Sequence, residues 1–139
     1  MNIDKLVKAL EDEGNVNVID TNKSSIKNNI NNILQTLYLD ASYLKLFNKK
    51  LKDYIYISNI NEIKIGHTIK YINIENPEKF KLSCNYIICN INPNDNGINI
   101  TLKTFNNIYF RIYYHKHFIF KKLSSDELLI LKALNYINK

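Results

Sequence analysis

Hydrophobic and polar residues alternate most regularly in the last third of the chain. Residues 98–104 place an apolar side chain or threonine at every second position, and residues 108–114 repeat the alternation after a short polar break. A period of two is typical of β-strands with one buried face. The break contains Asn106 and Asn107, and asparagine tolerates the left-handed backbone of tight turns. The two stretches therefore predict a β-hairpin.

The register of this hairpin follows from which side chains must share a face. A two-residue loop would set Leu102 opposite Arg111 and would mix apolar with charged positions. Because side chains alternate along a strand, a shift of one residue separates the faces again. We therefore predict an odd loop, of three residues with a bulge, that pairs Leu102 with Phe110 or Ile112. The exposed face of the hairpin then carries Lys103, Tyr109, Arg111 and Tyr113.

Four other stretches repeat apolar residues every three or four positions, which is typical of helices. These predicted helices cover residues 3–13, 24–38, 41–52 and 124–137, with a linker or a short extended segment at 15–20. Asp40 is the expected N-cap of the third helix. Ser124 and Glu127 have the spacing of a capping box, which predicts where the last helix begins.

The second and third predicted helices are close enough in sequence to form a helix-turn-helix. Residues 41–52 would then be the recognition helix, with a stripe of lysines on one side. The turn lacks the glycine that such motifs often contain. A helical hairpin whose basic stripe is solvated is therefore the favoured interpretation.

Shorter stretches predict further strands near residues 54–58, 67–74 and 80–91, the last one bent or bulged near 83–84. Five or six short antiparallel strands are typical of a small closed or half-closed barrel, SH3-like or OB-like. The predicted fold class is α+β. It consists of an N-terminal helical region at residues 1–53 and a small antiparallel β-barrel with a C-terminal capping helix at 54–139.

Length and composition limit the class of protein. A chain of 139 residues with 45% hydrophobic residues suits a folded domain. No apolar run approaches the roughly 20 residues that span a bilayer, and the N-terminus has no signal-peptide core. Cys84 and Cys89 are expected on opposite sides of one strand as free thiols. These features predict an intracellular protein with no membrane partner.

The formal net charge of +6 is concentrated in the predicted β region. Residues 54–123 hold nine Lys and Arg against four Asp and Glu, a net charge of +5. The chain also contains 23 Asn, 23 Ile and 18 Lys but a single Arg. Those three abundant residues have A/T-rich codons, so part of the lysine excess reflects nucleotide composition rather than binding.

Three stretches and the last helix carry a resemblance to a known group of proteins. The stretches are LKDYIYIS at 51–58, GHTIKYI at 66–72 and HFIFKKL at 117–123, followed by the helix at 124–137. From residue 26 onward the chain resembles small uncharacterised proteins of giant DNA viruses of the mimivirus kind. It departs from them at Lys70 and Tyr71, where they carry arginine and aromatic residues, and at Cys84, near which they have a glycine pair. The resemblance implies no activity, only a viral context: host cytoplasm, viral factory or virion.

Nucleic-acid binding is the leading hypothesis from the residues themselves. Lysine and arginine neutralise phosphates, and exposed aromatic rings offer bases a surface to stack on. The candidate binding residues are Lys103, Tyr109, Arg111, Tyr113, Lys116, Lys121 and Lys122. The alternative is a protein-interaction or virion scaffold module, since tyrosine is enriched at interfaces. The sequence does not distinguish DNA from RNA.

The sequence offers little for catalysis or for metal binding. His115 and His117 could face one side of a strand as a metal pair, but a zinc site needs three or four ligands and no third is evident. Neither they nor His67 belongs to a recognisable catalytic motif. We therefore predict a non-enzymatic protein with no metal, no cofactor and no small-molecule substrate.

Overall fold

A computed structural model describes residues 3–11 and 21–137, which form four helices and a six-stranded antiparallel sheet. The helices are α1 (Ile3–Glu11), α2 (Lys23–Gln35), α3 (Ala41–Lys50) and α4 (Ser125–Ile137). The strands are β1 (Tyr54–Tyr56), β2 (Thr68–Asn73), β3 (Tyr86–Asn94), β4 (Gly97–Lys103), β5 (Tyr109–Tyr113) and β6 (His117–Lys122). Short 3-10 helices occupy Ile60–Glu62 and Tyr114–Lys116. The linker or extended segment predicted at 15–20 lies outside the described residues.

The sheet has the strand order β1-β6-β2-β3-β4-β5. Its last strand in sequence, β6, lies between β1 and β2 and pairs with both. β1 and β5 are the edges, so the sheet is not closed. The predicted α+β class is confirmed, whereas an SH3-like or OB-like barrel is not.

The predicted register of the central hairpin is confirmed. Leu102 lies opposite Phe110, and Lys103 lies opposite Tyr109. The backbone N–H of Thr104 donates to the carbonyl of Ile108 at 2.9 Å, which leaves residues 105–107 as a three-residue loop. Asn107 has a φ of +62°, the left-handed conformation that such loops require at their last position.

The predicted strand at 80–91 was wrong at both ends. β3 begins at Tyr86, and Leu82 makes only an isolated bridge to Ile72. The bulge lies between Ile88 and Asn90 rather than near residue 83. β3 runs on to the two-residue turn before Gly97, where a β-carbon would lie 2.8 Å from the imidazole of His115.

Helix starts show which capping predictions are correct. The Ser124 hydroxyl accepts from the N–H of Glu127, and the Glu127 carboxylate accepts from the N–H of Ser124, as a capping box requires. Asp40 occupies the N-cap position of α3 as predicted, and its carbonyl accepts from the N–H of Leu44, but its side chain makes no cap bond. Asn22 caps α2 by accepting from the N–H of Ser25 at 2.8 Å. Within residues 3–11 and 21–137, no helix combines the length and apolar character that a membrane crossing needs.

Side chains on the two faces of the sheet pack in two separate hydrophobic clusters. On β6, Phe120 packs in the cluster formed with the helices, which includes Ile30 of α2 and Leu131 of α4. The neighbouring Ile119 packs in a second cluster on the opposite face. Members of that second cluster come from most of the strands and from the segment after β1, namely Ile57, Ile63, Ile69, Ile88, Ile100, Leu102 and Ile112.

Side chains of β2 and β5 meet across the face that carries the second cluster. The rings of Tyr71 on β2 and Phe110 on β5 have centroids 6.5 Å apart. The two strands are three positions apart in the sheet, so their backbones would be about 14 Å apart in a flat sheet. Rings that lean toward each other over a concave sheet account for this contact, and a cleft lies beside it.

Candidate nucleic-acid interface

A cavity of about 850 Å³ lies between β2, the edge strand β5 and the segment before β3, and we call it the β2–β5 cleft. Its aromatic and imidazole lining consists of Tyr71, Tyr86, Phe110, Tyr113 and His117. Its basic lining consists of Lys50, Lys70, Lys79, Lys81, Arg111 and Lys116. None of the described residues that line it is acidic.

The aromatic wall is an extension of the second hydrophobic cluster. Tyr71 follows Ile69 by two residues, Tyr86 precedes Ile88 by two, and Phe110 lies on the same face as Ile112. Tyr71 and Tyr86 stack at 5.7 Å with an interplanar angle of 24°. The ring of Phe110 meets Tyr86 edge to face at 4.8 Å. These rings are half-buried, so the wall presents partly accessible π-faces and edges to the cleft.

Hydrogen bonds hold the loop before β3 against β2. The N–H of Tyr71 donates to the Ser83 hydroxyl at 2.8 Å, and the N–H of Ser83 donates to the Tyr71 carbonyl at 2.9 Å. The Ser83 hydroxyl in turn donates to the carbonyl of Cys84. These contacts hold the segment that carries Lys79 and Lys81 beside β2, and both lysines line the cleft and are exposed.

The lysines of the cleft stand close enough to influence one another. Burial and, next, the positive charge of Lys50 lower the pKa of Lys70. The Lys70 ammonium also lies 5.5 Å from the centroid of the Tyr54 ring. Positive charge is therefore concentrated here without a matching set of carboxylates, which is an arrangement that attracts polyanions.

On the other side of the cleft, Lys116 contacts both an aromatic ring and an acid. Its ammonium lies 5.3 Å from the centroid of Tyr113 and 3.6 Å from a carboxylate oxygen of Glu75. Both partners of this ion pair are substantially exposed, so the pair is weak and a phosphate can compete with Glu75.

Tyr86 stays protonated at neutral pH. Its hydroxyl lies 3.6 Å from the thiol of Cys84, and this contact, followed by burial, raises the pKa of Tyr86 to about 12. Burial also raises the pKa of Tyr71. The stacked pair is therefore neutral, and its hydroxyls can donate as well as accept hydrogen bonds.

The structure divides the candidate residues from the sequence into two groups. Arg111, Tyr113 and Lys116 line the β2–β5 cleft. Lys103 and Tyr109 face each other across β4 and β5 but lie outside the cleft lining. Tyr109 is 60% exposed there.

Placing Lys121 on an exposed basic face was wrong. Lys121 is 1% exposed, and its ammonium lies 2.8 Å from a carboxylate oxygen of Glu127. It occupies an inward position of β6, directly opposite Ile69. Lys122 on β6 is exposed, but it lies opposite Tyr54 of β1 and outside the cleft lining.

The two histidines near the hairpin end are arranged differently from a metal pair. His117 is half-buried, and its Nδ1 bonds to the carbonyl of Tyr113 at 2.8 Å. His115 is exposed beside Gly97, in the 3-10 helix Tyr114–Lys116. Burial lowers the pKa of His117. Among the described residues there is no group of three or more His, Cys, Asp or Glu side chains that could hold a metal ion.

Several residues that line the cleft were not predicted from the sequence as binding residues. They include Lys50, Lys70, Lys79 and Lys81. Tyr71 could have been predicted to face inward, because it lies two residues after Ile69 in an alternating stretch. The pairing of β2 with β3 could not have been predicted, because twelve residues separate those strands and only two residue pairs fix their register.

Comparison of the chain with protein-family models, with curated protein sequences and with solved structures gives no match.

Proposed function

We propose that this chain is a non-enzymatic module that binds single-stranded nucleic acid in the β2–β5 cleft. The observation that carries the proposal is the composition of that cleft: six cationic side chains, an aromatic wall, and no acidic residue among its described lining. Cationic side chains neutralise phosphates, and aromatic rings stack on bases whatever the sequence.

The shape of the cleft favours an unpaired strand. The rings of Tyr71, Tyr86 and Phe110 are half-buried inside the cleft rather than displayed on a convex surface. In a duplex both faces of each base are covered by neighbouring base pairs, so a base must leave the stack to reach these rings. The proposal covers DNA and RNA alike.

The fold type and the cellular context belong to the same proposal. The contact between Tyr71 and Phe110 supports a half-open barrel, a shape in which SH3-like and OB-like domains often bind oligonucleotides. The resemblance of residues 26–139 to giant-virus proteins supports an intracellular viral setting, where single strands arise during replication and transcription.

A protein-interaction module is the second candidate, and one observation favours it. Phe105, Ile108 and Tyr109 at the tip of the β4–β5 hairpin are 73%, 62% and 60% exposed. They adjoin β5, which pairs with β4 alone among the described strands. An apolar tip next to an edge strand is a surface on which another chain can dock.

The deciding experiment is fluorescence anisotropy with labelled single-stranded and double-stranded oligonucleotides at 50 and 200 mM salt. We expect the single strand to bind more tightly than the duplex. If six phosphates are contacted, affinity should fall about 300-fold between the two salt concentrations. Binding of a protein partner through tyrosines would depend little on salt.

Two variants locate the site. Lys81→Glu combined with Arg111→Glu reverses two charges of the cleft, and we expect it to abolish oligonucleotide binding. Lys103→Glu combined with Lys122→Glu reverses two charges outside the cleft lining and serves as the matched control. Equal losses in both would show that only overall charge matters. Unchanged affinity in the double variant would remove the cleft as the site.

A further inference from the structure

A second cavity, of about 510 Å³, lies among α2, α3, α4 and the start of β1, and we call it the helical cavity. Its volume falls within the range of about 300–1,000 Å³ that is typical of small-molecule sites. Its walls are aliphatic and come from α2, from α4 and from the residues just after α3 and just before α4: Ile26, Ile30, Leu51, Leu123, Leu128 and Leu131. Tyr54 contributes the single aromatic ring among the described lining residues.

Lysines surround this aliphatic interior. Lys23 and Lys27 are four residues apart on α2, and Lys45 and Lys49 are four apart on α3, so each pair shares one helix face. Lys52 follows α3 and completes a set of five. All five are exposed, and Asp53 is the one carboxylate among the described residues that line the cavity.

We infer that the helical cavity binds an anionic single-chain amphiphile, with a hydrocarbon tail against the aliphatic walls and a carboxylate head at the lysines. A nucleic acid does not suit this cavity. Its phosphates would be desolvated by the apolar walls, and its bases would find only one aromatic ring on which to stack. Five cations beside one acid complement a negative head group. The inference rests on this cavity alone and is independent of the proposed nucleic-acid site.

The length of the ligand chain provides the first test, with the unaltered protein. Calorimetric titration with hexanoate, octanoate and decanoate, each below its micelle concentration, should give an affinity that rises about three- to fourfold per added methylene. Decanol, which has the same tail but no charge, should bind about tenfold more weakly than decanoate. Affinity that is independent of chain length, or equal for decanol, would overturn the inference.

Charge reversal at the rim provides the second test. Lys45→Glu with Lys49→Glu should weaken decanoate about tenfold or more and leave decanol unchanged. Lys132→Glu, an exposed position of α4 outside the cavity, is the control and should have no effect. If an acidic amphipathic peptide binds at these lysines while decanoate does not, the cavity is a protein-docking site and the inference is wrong. Oligonucleotide binding is measured in a separate titration, so a negative result for one proposed site does not affect the test of the other.

Discussion

The ammonium of Lys121 lies 2.8 Å from a carboxylate oxygen of Glu127, and both residues are almost fully buried, at 1% and 3% exposure. The other carboxylate oxygen of Glu127 accepts from the N–H of Ser124. One side chain thus neutralises an inward lysine of β6 and caps the first turn of α4. This arrangement fixes where the last helix leaves the sheet.

Removing one partner of this ion pair should be strongly destabilising. We expect Lys121→Met to lower the free energy of unfolding by about 3–5 kcal/mol, because it leaves a buried carboxylate without its counter-charge. Urea denaturation measures this change. Lys121→Met combined with Glu127→Gln should lose less than the two single variants together, by at least about 1 kcal/mol, since the amide keeps a capping oxygen. Strict additivity would show that the two side chains are not coupled.

His67 should make stability fall in mild acid. Burial and, next, the positive charge of Lys121 lower the pKa of His67, although Glu127 opposes this effect. Its Nδ1 also accepts the N–H of Lys64 at 3.0 Å, which requires the unprotonated nitrogen. The unfolded chain therefore takes up a proton near pH 6.5, before the folded chain does. The free energy of unfolding should be constant above about pH 7 and should decrease as the pH falls below 6.5.

Urea denaturation between pH 5.5 and 8 checks this dependence. His67→Gln should reduce the slope, and the remaining slope should include a contribution from His117, whose pKa burial also lowers. A slope that is unchanged in His67→Gln would exclude His67 as a source.

Two tyrosines of β5 allow a matched comparison of stacking. Tyr113 lines the β2–β5 cleft, whereas Tyr109 on the same strand does not. We expect Tyr113→Ala to weaken single-strand binding by about 1–3 kcal/mol, the usual contribution of one stacked base. Tyr109→Ala should leave binding unchanged in the same anisotropy assay. The reverse result would move the interface to the surface around Tyr109 and Lys103, outside the cleft lining.

Tyr38 should be a site where glycine stabilises the fold. It is 93% exposed and has a φ of +52°, a left-handed conformation that a β-carbon disfavours. Tyr38→Gly should raise the free energy of unfolding by about 0.5–1 kcal/mol, because relief of this strain exceeds the added freedom of the unfolded chain. Tyr38→Ala retains the β-carbon and should give no such gain. Equal effects of the two substitutions in thermal denaturation would show that the tyrosine ring, rather than the backbone, is responsible.

Local patterns predicted the fold wherever partners are close in sequence. Leu102 and Phe110 lie on strands joined by a short loop, so the alternation of inward and outward side chains was enough to give the register. The capping box of Ser124 and Glu127 is likewise contained within one turn. The start of β3 was not predictable in this way. Residues 80–85 include apolar side chains that suit a strand, but they contact β2 only through an isolated bridge to Ile72 and hydrogen bonds to Tyr71.

The candidate site was predicted only in part because it combines strands that are distant in the sequence. Arg111 and Tyr113 were recognised on β5, but Lys70 on β2 and Lys81 in the loop after it line the same cleft, and only the three-dimensional fold shows this. Lys121 shows the opposite error. Its buried partner is six residues away on α4, and charge alone could not show that this lysine faces inward.

The contact between β2 and β5 is made by rings rather than by a hydrogen-bonded ladder. Tyr71 and Phe110 complete the second hydrophobic cluster, yet they also form the wall against which a guest would lie. In the proposed site the same side chains would serve both cohesion and recognition. Substitutions that pack this wall more tightly should therefore make the protein more stable and a poorer binder.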